Sequence, residues 1–330
     1  MSKKKKYKLK TWPKIVVIIL IIGVFGSIYG YKKYQEYKYT QTYEYKLLQK
    51  YNKEETKILL DNLSNEELDD ILSRDYNEFI THFVKCKYFM YKNLDVYLTK
   101  VISQSQDFFK YHGTDGYDYD NIVAIVNTHN NEEYYSGDYH TDFSKGTGII
   151  ANKYYELGMD FIPEDLVDVP ITHRYSDRVQ LTREAYDAYM EMWNAAKEEQ
   201  DIYLILASGY RSAKEQKEVY DEYDKSYGRE FADNVAARPG YSEHQTGLAI
   251  DVYSKECSSA KTFKDSKTYT WLIDNSYKYG FILRYPENKK SITGYNYESW
   301  HYRYLGKDLA KKVHDSGLTY DEYYAYYLDK

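Results

Sequence analysis

The sequence predicts an α+β fold: a small, mainly antiparallel sheet flanked by helices, preceded by an N-terminal transmembrane helix and a helical stalk. Three observations carry this. Short apolar or alternating runs recur in the second half of the chain, at IYLILAS (202–208), LAIDV (248–252), FILRY (281–285) and ESWHYRY (298–304). Between them lie longer stretches with apolar residues at i, i+3 and i+4, and these two periods separate strands from amphipathic helices. Near the N-terminus an uncharged apolar run, Ile15 to Tyr31, follows a cluster of lysines. At 330 residues the chain is long enough for one sizeable core and a second, smaller region.

The N-terminal elements come first. Lys3, Lys4, Lys5, Lys6, Lys8, Lys10 and Lys14 precede the apolar run. At about 1.5 Å per residue that run spans about 25 Å, the short end of a membrane helix. Trp12 at one edge and Tyr29 and Tyr31 at the other suit the two interfaces. Basic flanks stay cytoplasmic. Residues 1–14 are therefore expected as a cytoplasmic tail and 15–31 as a single-pass anchor in the cell membrane, with the rest of the chain extracellular. A cleaved signal peptide is the alternative, since Val24 and Gly26 weakly resemble a cleavage site. The run is longer than most signal cores, which favours the anchor.

Residues 32–110 read as an extracellular helical stalk. Residues 32–60 are rich in Tyr, Lys and Glu, and stripes follow at Leu68, Ile71 and Leu72, at Phe79, Ile80, Phe83 and Val84, and at Leu94, Leu98, Val101 and Ile102. The turn-forming stretch YHGTDGYDYD (111–120) reads as a linker opening a domain over 111–330. Ile122, Ala124 and Val126 alternate and predict a strand; residues 127–142 are polar, and their His129 and His140 read as surface histidines. GIIANKYY (148–155) predicts another strand and FIPEDLVDV (161–169) a loop.

Thr182 is placed to cap a helix with Ala185, Tyr189, Met192, Trp193 and Ala196 on its buried stripe. The continuous apolar run 202–208 predicts a central strand. It ends in SGYRS, where Gly209 allows a sharp turn and presents Arg211 at the mouth of the sheet. A helix follows over 213–223, with Gln216 on its first turn beside Arg211. A helix over about 268–279 should stop at Gly280, a strand takes 281–285, and 306–317 forms a closing helix. Thr319 and Glu322 have the spacing of a capping box.

Composition excludes some classes. The net charge of −6 gives no basic signature of nucleic-acid binding. Cys86 and Cys257 are far apart and outside any CxxC pattern, so neither a disulfide framework nor a cysteine metal site is indicated. The 44 tyrosines would suit contact with carbohydrate or peptide, although a compositional habit of the source explains them as well.

The candidate site centres on PGYSEHQTGLAIDV (239–252). His244 and Asp251 lie seven apart, and Asp251 sits in an apolar alternating strand where a carboxylate needs a partner. A metal ion is one such partner. His301, in ESWHYRY (298–304), offers a third ligand. Two histidines and one carboxylate make a zinc set with an open position for water. Glu298 is near enough in sequence to take that water's proton. Each histidine alone is more often a packed side chain than a ligand. In a regular strand Glu298 and His301 would face opposite sides, so the assignment requires a bend or bulge at Ser299–Trp300.

SGYRS with Gln216, SEHQTGLAIDV and ESWHYRY, in that order, resemble the VanY-type D-alanyl-D-alanine carboxypeptidases, zinc peptidases of peptidoglycan. The similarity covers about residues 120–325. The resemblance implies zinc (Zn2+) held by His244, Asp251 and His301 at one end of the sheet, Glu298 as general base, and Arg211 on substrate and oxyanion. Gln216 and Ser242 are implied as weaker substrate contacts. The family commonly has proline before the Trp-His pair, where this chain has Ser299. The implied activity is removal of the terminal D-alanine from peptidoglycan stem peptides. An L,D-carboxypeptidase acting on tetrapeptide stems and a non-catalytic peptidoglycan-binding module are the alternatives.

Overall fold

The structure is a computed structural model and describes residues 12–100, 118–257 and 259–329. The lysines at 3–10, most of the 111–120 linker, and Val101 and Ile102 lie outside the described residues. The apolar run forms part of one helix, Trp12–Thr40. Its stretch Lys14–Thr40 is long and apolar enough to cross a membrane, and none of its most apolar window is buried against the rest of the chain. A helix of this kind serves as a membrane anchor or as a signal sequence.

The chain divides between residues 98 and 99 into two compact units. In the first, short helices follow the long one, at Tyr43–Leu47, Lys53–Asn62, Asn65–Ser73 and Phe79–Val84. Two of them begin with complete capping boxes, Asn52 with Glu55 and Ser64 with Glu67, which satisfy the orphan N–H groups of a helix start. The predicted stripes bury Leu68, Ile71, Ile80, Phe83 and Leu94, and Phe83 stacks on Tyr97 at 5.2 Å.

Among the described residues, the second unit holds eight short strands. β1 (Tyr139–His140) pairs in parallel with β2 (Tyr155–Glu156), and β3 (Leu166–Asp168) pairs antiparallel with β4 (Gln180–Thr182). The main sheet holds β5 (Leu204–Ser208), β6 (Ala249–Ser254), β7 (Phe281–Leu283) and β8 (His301–Tyr304). It is antiparallel throughout, in the order β5-β6-β8-β7. Helix Arg183–Gln200 covers one face, capped by Thr182, whose hydroxyl accepts from the Ala185 N–H. Its Tyr189 and Met192 pack with Leu204, Leu206, Ile250, Val252, Phe281 and Tyr302 into the core.

Three expectations fail, and a fourth fails in part. Residues 119–127 form a helix, not a strand, with Asp118 accepting from Asn121 N–H at its start. Ile122 to Asn127 are all buried, so the run is apolar on every side and its alternation carried no period. Residues 148–155 are not a strand beyond Tyr155. Ile149 to Tyr155 are buried all the same, and the Asn152 side chain accepts from the N–H groups of Tyr154 and Tyr155 in a local turn. The run 202–208 is an edge strand, not a central one. It reads as central because segment 174–176 covers its outer side, with the Tyr175 N–H donating to Leu206 O and the Ser176 hydroxyl to Ala207 O. Part of the expected loop 161–169 also pairs, as β3. No disulfide joins Cys86 and Cys257.

Candidate active site

The register of the sheet assembles the site. Asp251 on β6 stands opposite Ser208 at the end of β5 and His301 at the start of β8. Ile250 and Val252 point into the core and are fully buried, so alternation sends Asp251 to the other face. His244 lies on a single 3-10 turn, Glu243–Thr246, which Gly247 closes in the left-handed region at φ 66°. A side chain at Gly247 would also meet Leu166 and Thr182 at 3.0 and 3.1 Å. The turn therefore needs glycine on two counts.

The ligating atoms of His244, Asp251 and His301 all lie within 4.8 Å of one another. His244 Nε2 is 3.4 Å from Asp251 Oδ2, and His301 Nδ1 is 3.0 Å from Asp251 Oδ1. The remaining ring nitrogens are occupied elsewhere. His244 Nδ1 is 2.8 Å from the carbonyl of Gly209, and His301 Nε2 is 3.3 Å from Glu243 Oε2. A histidine hydrogen-bonded through one nitrogen presents the other as a lone pair. The free nitrogens thus converge on the Asp251 carboxylate.

Glu298 joins them because the chain turns. Ser299 and Trp300 form a turn before β8, with the His301 N–H directed at Glu298 O at 3.3 Å. This is the bend that the odd spacing required. It brings Glu298 Oε2 to 3.9 Å from His301 Nδ1. The Glu298 N–H donates to Tyr285 O, so the backbone fixes the residue while its carboxylate stays in the cleft.

Arg211 enters from β5. Its backbone N–H donates to His244 O. Its guanidinium donates to Gln216 Oε1 and to Ser208 Oγ, each at 3.0 Å. Gln216 in turn donates to Ala237 O at 2.8 Å. Both ends of the Gln216 amide are therefore engaged within the protein, and its visible job is to hold Arg211. Ser242 is buried and lines the same cleft. The cleft has a volume of about 200 Å³, and Tyr285, Tyr295 and Trp300 complete its walls. His129 and His140 lie away from it, paired with Glu132 and Glu156.

Burial and charge set the protonation of these groups. Burial alone would raise the Asp251 carboxyl, but His244 and His301 outweigh it and hold it well below the carboxylate range. Burial lowers His244. It also opposes charge on His301, yet the hydrogen bonds to Asp251 and Glu243 prevail and push that imidazole up to about 10. A cation on Asp251 and Nδ1 would take the place of that proton. Glu298 is pushed up to about 7, chiefly by burial, with Asp251 and Glu243 adding and His301 and Arg211 opposing.

Sequence reasoning overlooked Glu243, which is almost fully buried beside His244. Burial resists its charge, but Arg284 and Arg303 hold its carboxyl far below the usual range. Arg303 donates to Glu243 Oε1 at 2.9 Å. The signal was an acid directly preceding a candidate ligand histidine, with two arginines in otherwise apolar strands.

Gly209 is the tightest joint in the site. A Cβ there would lie 2.5 Å from the carbonyl of Gln180 and 2.8 Å from Val179 Cγ1. Gly209→Ala is expected to push β4 away from the turn and draw the Gly209 carbonyl off His244. Metal affinity should fall about tenfold or more, with a melting loss of about 1–3 kcal/mol for overpacking. Metal binding and stability both within error of wild type would refute the close-approach assignment.

Two imidazoles, a carboxylate, a buried glutamate and an arginine around one cleft define a hydrolase-type site with a candidate metal-ligand set. Residues 178–307 match the family model for D-alanyl-D-alanine carboxypeptidase, VanY. The YodJ protein of Bacillus subtilis (strain 168) is 39% identical over 214 residues, covering 60% of this chain and 78% of its own. The bifunctional D-Ala-D-Ala dipeptidase and D-Ala-D-Ala carboxypeptidase VanXYC of Enterococcus gallinarum is 36% identical over 182 residues, 54% of this chain and 93% of its own. Among solved structures, the LdcB LD-carboxypeptidase is similar with a TM-score of 0.54 at 38% identity, covering 59% of this chain and 92% of that one. The chain belongs to the VanY-type D-alanyl-D-alanine carboxypeptidase family.

Proposed function

We propose that this chain is a membrane-anchored zinc carboxypeptidase that removes the terminal D-alanine from peptidoglycan stem peptides. The observation that carries this is the convergence of His244 Nε2, Asp251 and His301 Nδ1 in one cleft with Glu298 and Arg211. The donor set fits zinc: nitrogen and oxygen ligands, three from the protein, with room for a further one. When bound there, zinc supplies Lewis-acid polarisation of the scissile carbonyl and activation of water.

The remaining chemistry belongs to side chains. Glu298 accepts a proton from the attacking water and returns it to the leaving amine. Arg211, held by Ser208 and Gln216, offers donors to the oxygen on which charge develops or to the substrate's carboxylate. Ser242 lines the cleft within reach of a bound peptide. Tyr285, Tyr295 and Trp300 wall the site and exclude water from one side. The helix Trp12–Thr40 serves as the anchor, and the lysines that precede it favour an extracellular site.

A second reading is cleavage one residue further in, on tetrapeptide stems. The similarity to an LD-carboxypeptidase favours keeping it. A binding module without catalysis accounts less well for Glu298 beside the ligand set. The test is to incubate the full chain, in detergent with stoichiometric zinc, with pentapeptide and tetrapeptide stems and to weigh the products. Loss of one alanine from the pentapeptide alone is expected. Loss from the tetrapeptide would move the assignment to L,D-cleavage. No product from either, with zinc bound, would refute the enzyme.

A further inference from the structure

The Glu243 carboxylate has one oxygen for each of two tasks. Oε1 accepts from Arg284 Nε at 2.8 Å and from Arg303 Nη1 at 2.9 Å. Oε2 faces His301 Nε2 at 3.3 Å. Neither arginine is free to leave. Arg284 also pairs with Asp321, and Arg303 also donates to the carbonyls of Thr147 and Ile149. Asp321 is fixed from behind by Asn152 at 2.8 Å. Two buried arginines and two buried carboxylates balance in charge, so this cluster stands without help from His301.

We propose that Glu243 is a positioning residue: it fixes the ring of His301 with the proton on Nε2 and so turns Nδ1 toward the metal site. An ionised carboxylate has no proton to give, so the bond to His301 requires an Nε2–H donor. The two arginines keep the carboxylate ionised and prevent its rotation. Tyr285 stacks on the same imidazole at 5.0 Å, which fixes its plane while Glu243 fixes its rotation in that plane. Outer carboxylates of this kind orient a ligand and raise its basicity. The role presupposes the zinc site proposed above.

The chemistry of Glu243→Gln shows why the charge matters. If the replacement amide turns its oxygen to the arginines, its NH2 meets His301 Nε2. The imidazole must then accept there and carry its proton on Nδ1, where the metal binds. If the amide turns the other way, its NH2 faces two guanidinium groups. Either arrangement works against zinc.

The experiment measures zinc dissociation constants by chelator competition on the full chain in detergent. It compares wild type, E243D, E243Q and the pair E243Q with R284M. The pair removes one buried charge of each sign. It is expected to melt closer to wild type than E243Q does, yet to bind zinc about 10–100-fold more weakly than wild type. E243D should recover part of the affinity. A merely structural role predicts that zinc affinity recovers together with melting, and affinity in the pair within twofold of wild type would overturn the proposal. Nitrogen-15 spectra of zinc-loaded wild type give a reading that needs no variant. His301 is expected to carry its proton on Nε2, and a proton on Nδ1 would refute the assignment even if every variant unfolds. Failure of wild type to bind zinc at all would instead sink the proposed function.

Discussion

Glu298→Gln should lower kcat by about 10²–10⁴, the usual worth of a positioned acid-base group, while zinc content and melting temperature stay at wild-type values. The separation is expected because Glu298 is held by its backbone, through the Glu298 N–H to Tyr285 O and the turn into β8. Its carboxylate reaches no closer than 3.9 Å to His301 Nδ1. An amide of the same shape keeps those backbone contacts and loses only the ability to accept a proton. Turnover near wild type in the zinc-loaded variant would rule Glu298 out as the base. Loss of zinc together with turnover would make it a ligand or a structural group instead.

Arg284→Met should be the most destabilising single change in the sheet. Arg284 is fully buried and donates to both Glu243 and Asp321. Removing it leaves two carboxylates facing one remaining guanidinium. Breaking a buried pair from one side costs about 3–5 kcal/mol. At about 2–4 °C per kcal/mol for a unit of this size, the melting temperature should drop by roughly 10 °C. Adding Asp321→Asn removes the surplus charge and should restore much of the loss. Thermal melting of the two variants decides it: equal destabilisation in both would mean that packing of the long side chain, not charge balance, is what Arg284 contributes.

How far the sequence reached differs between ligand set and support. Asp251 and His301 were legible because each sits in a strand-like run whose period fixes its face, and His244 because it stands seven residues before Asp251 in SEHQTGLAIDV, a motif that resembles the family's. The turn at Ser299–Trp300 followed from an odd spacing and one shared site. Glu243, Arg284 and Asp321 were not legible. The acid beside His244 and the arginines in apolar runs were the local sign, but which groups they meet was hidden, because the partners lie 37 to 60 residues away in sequence. The elements that were misread share a cause. Residues 122–126 are apolar and buried on all sides, and 149–154 are buried even at the polar Asn152 and Lys153, so in neither does burial follow a readable period. The edge position of β5 was hidden in the same way, by a loop that lies over it.

The brace from Asp321 to Glu243 also sets an order in time. Ribosomes add Asp321 twenty residues after His301, so a growing chain holds every candidate ligand, together with Glu298, before it holds the clamp that squares His301 to them. Until then Arg284 lacks its second carboxylate, and of the two guanidinium groups on Glu243 only that of Arg303 has its other partners, the carbonyls of Thr147 and Ile149, in place. A cut before residue 321 in the folded protein would remove Asp321 and leave Arg284 with Glu243 as its carboxylate partner.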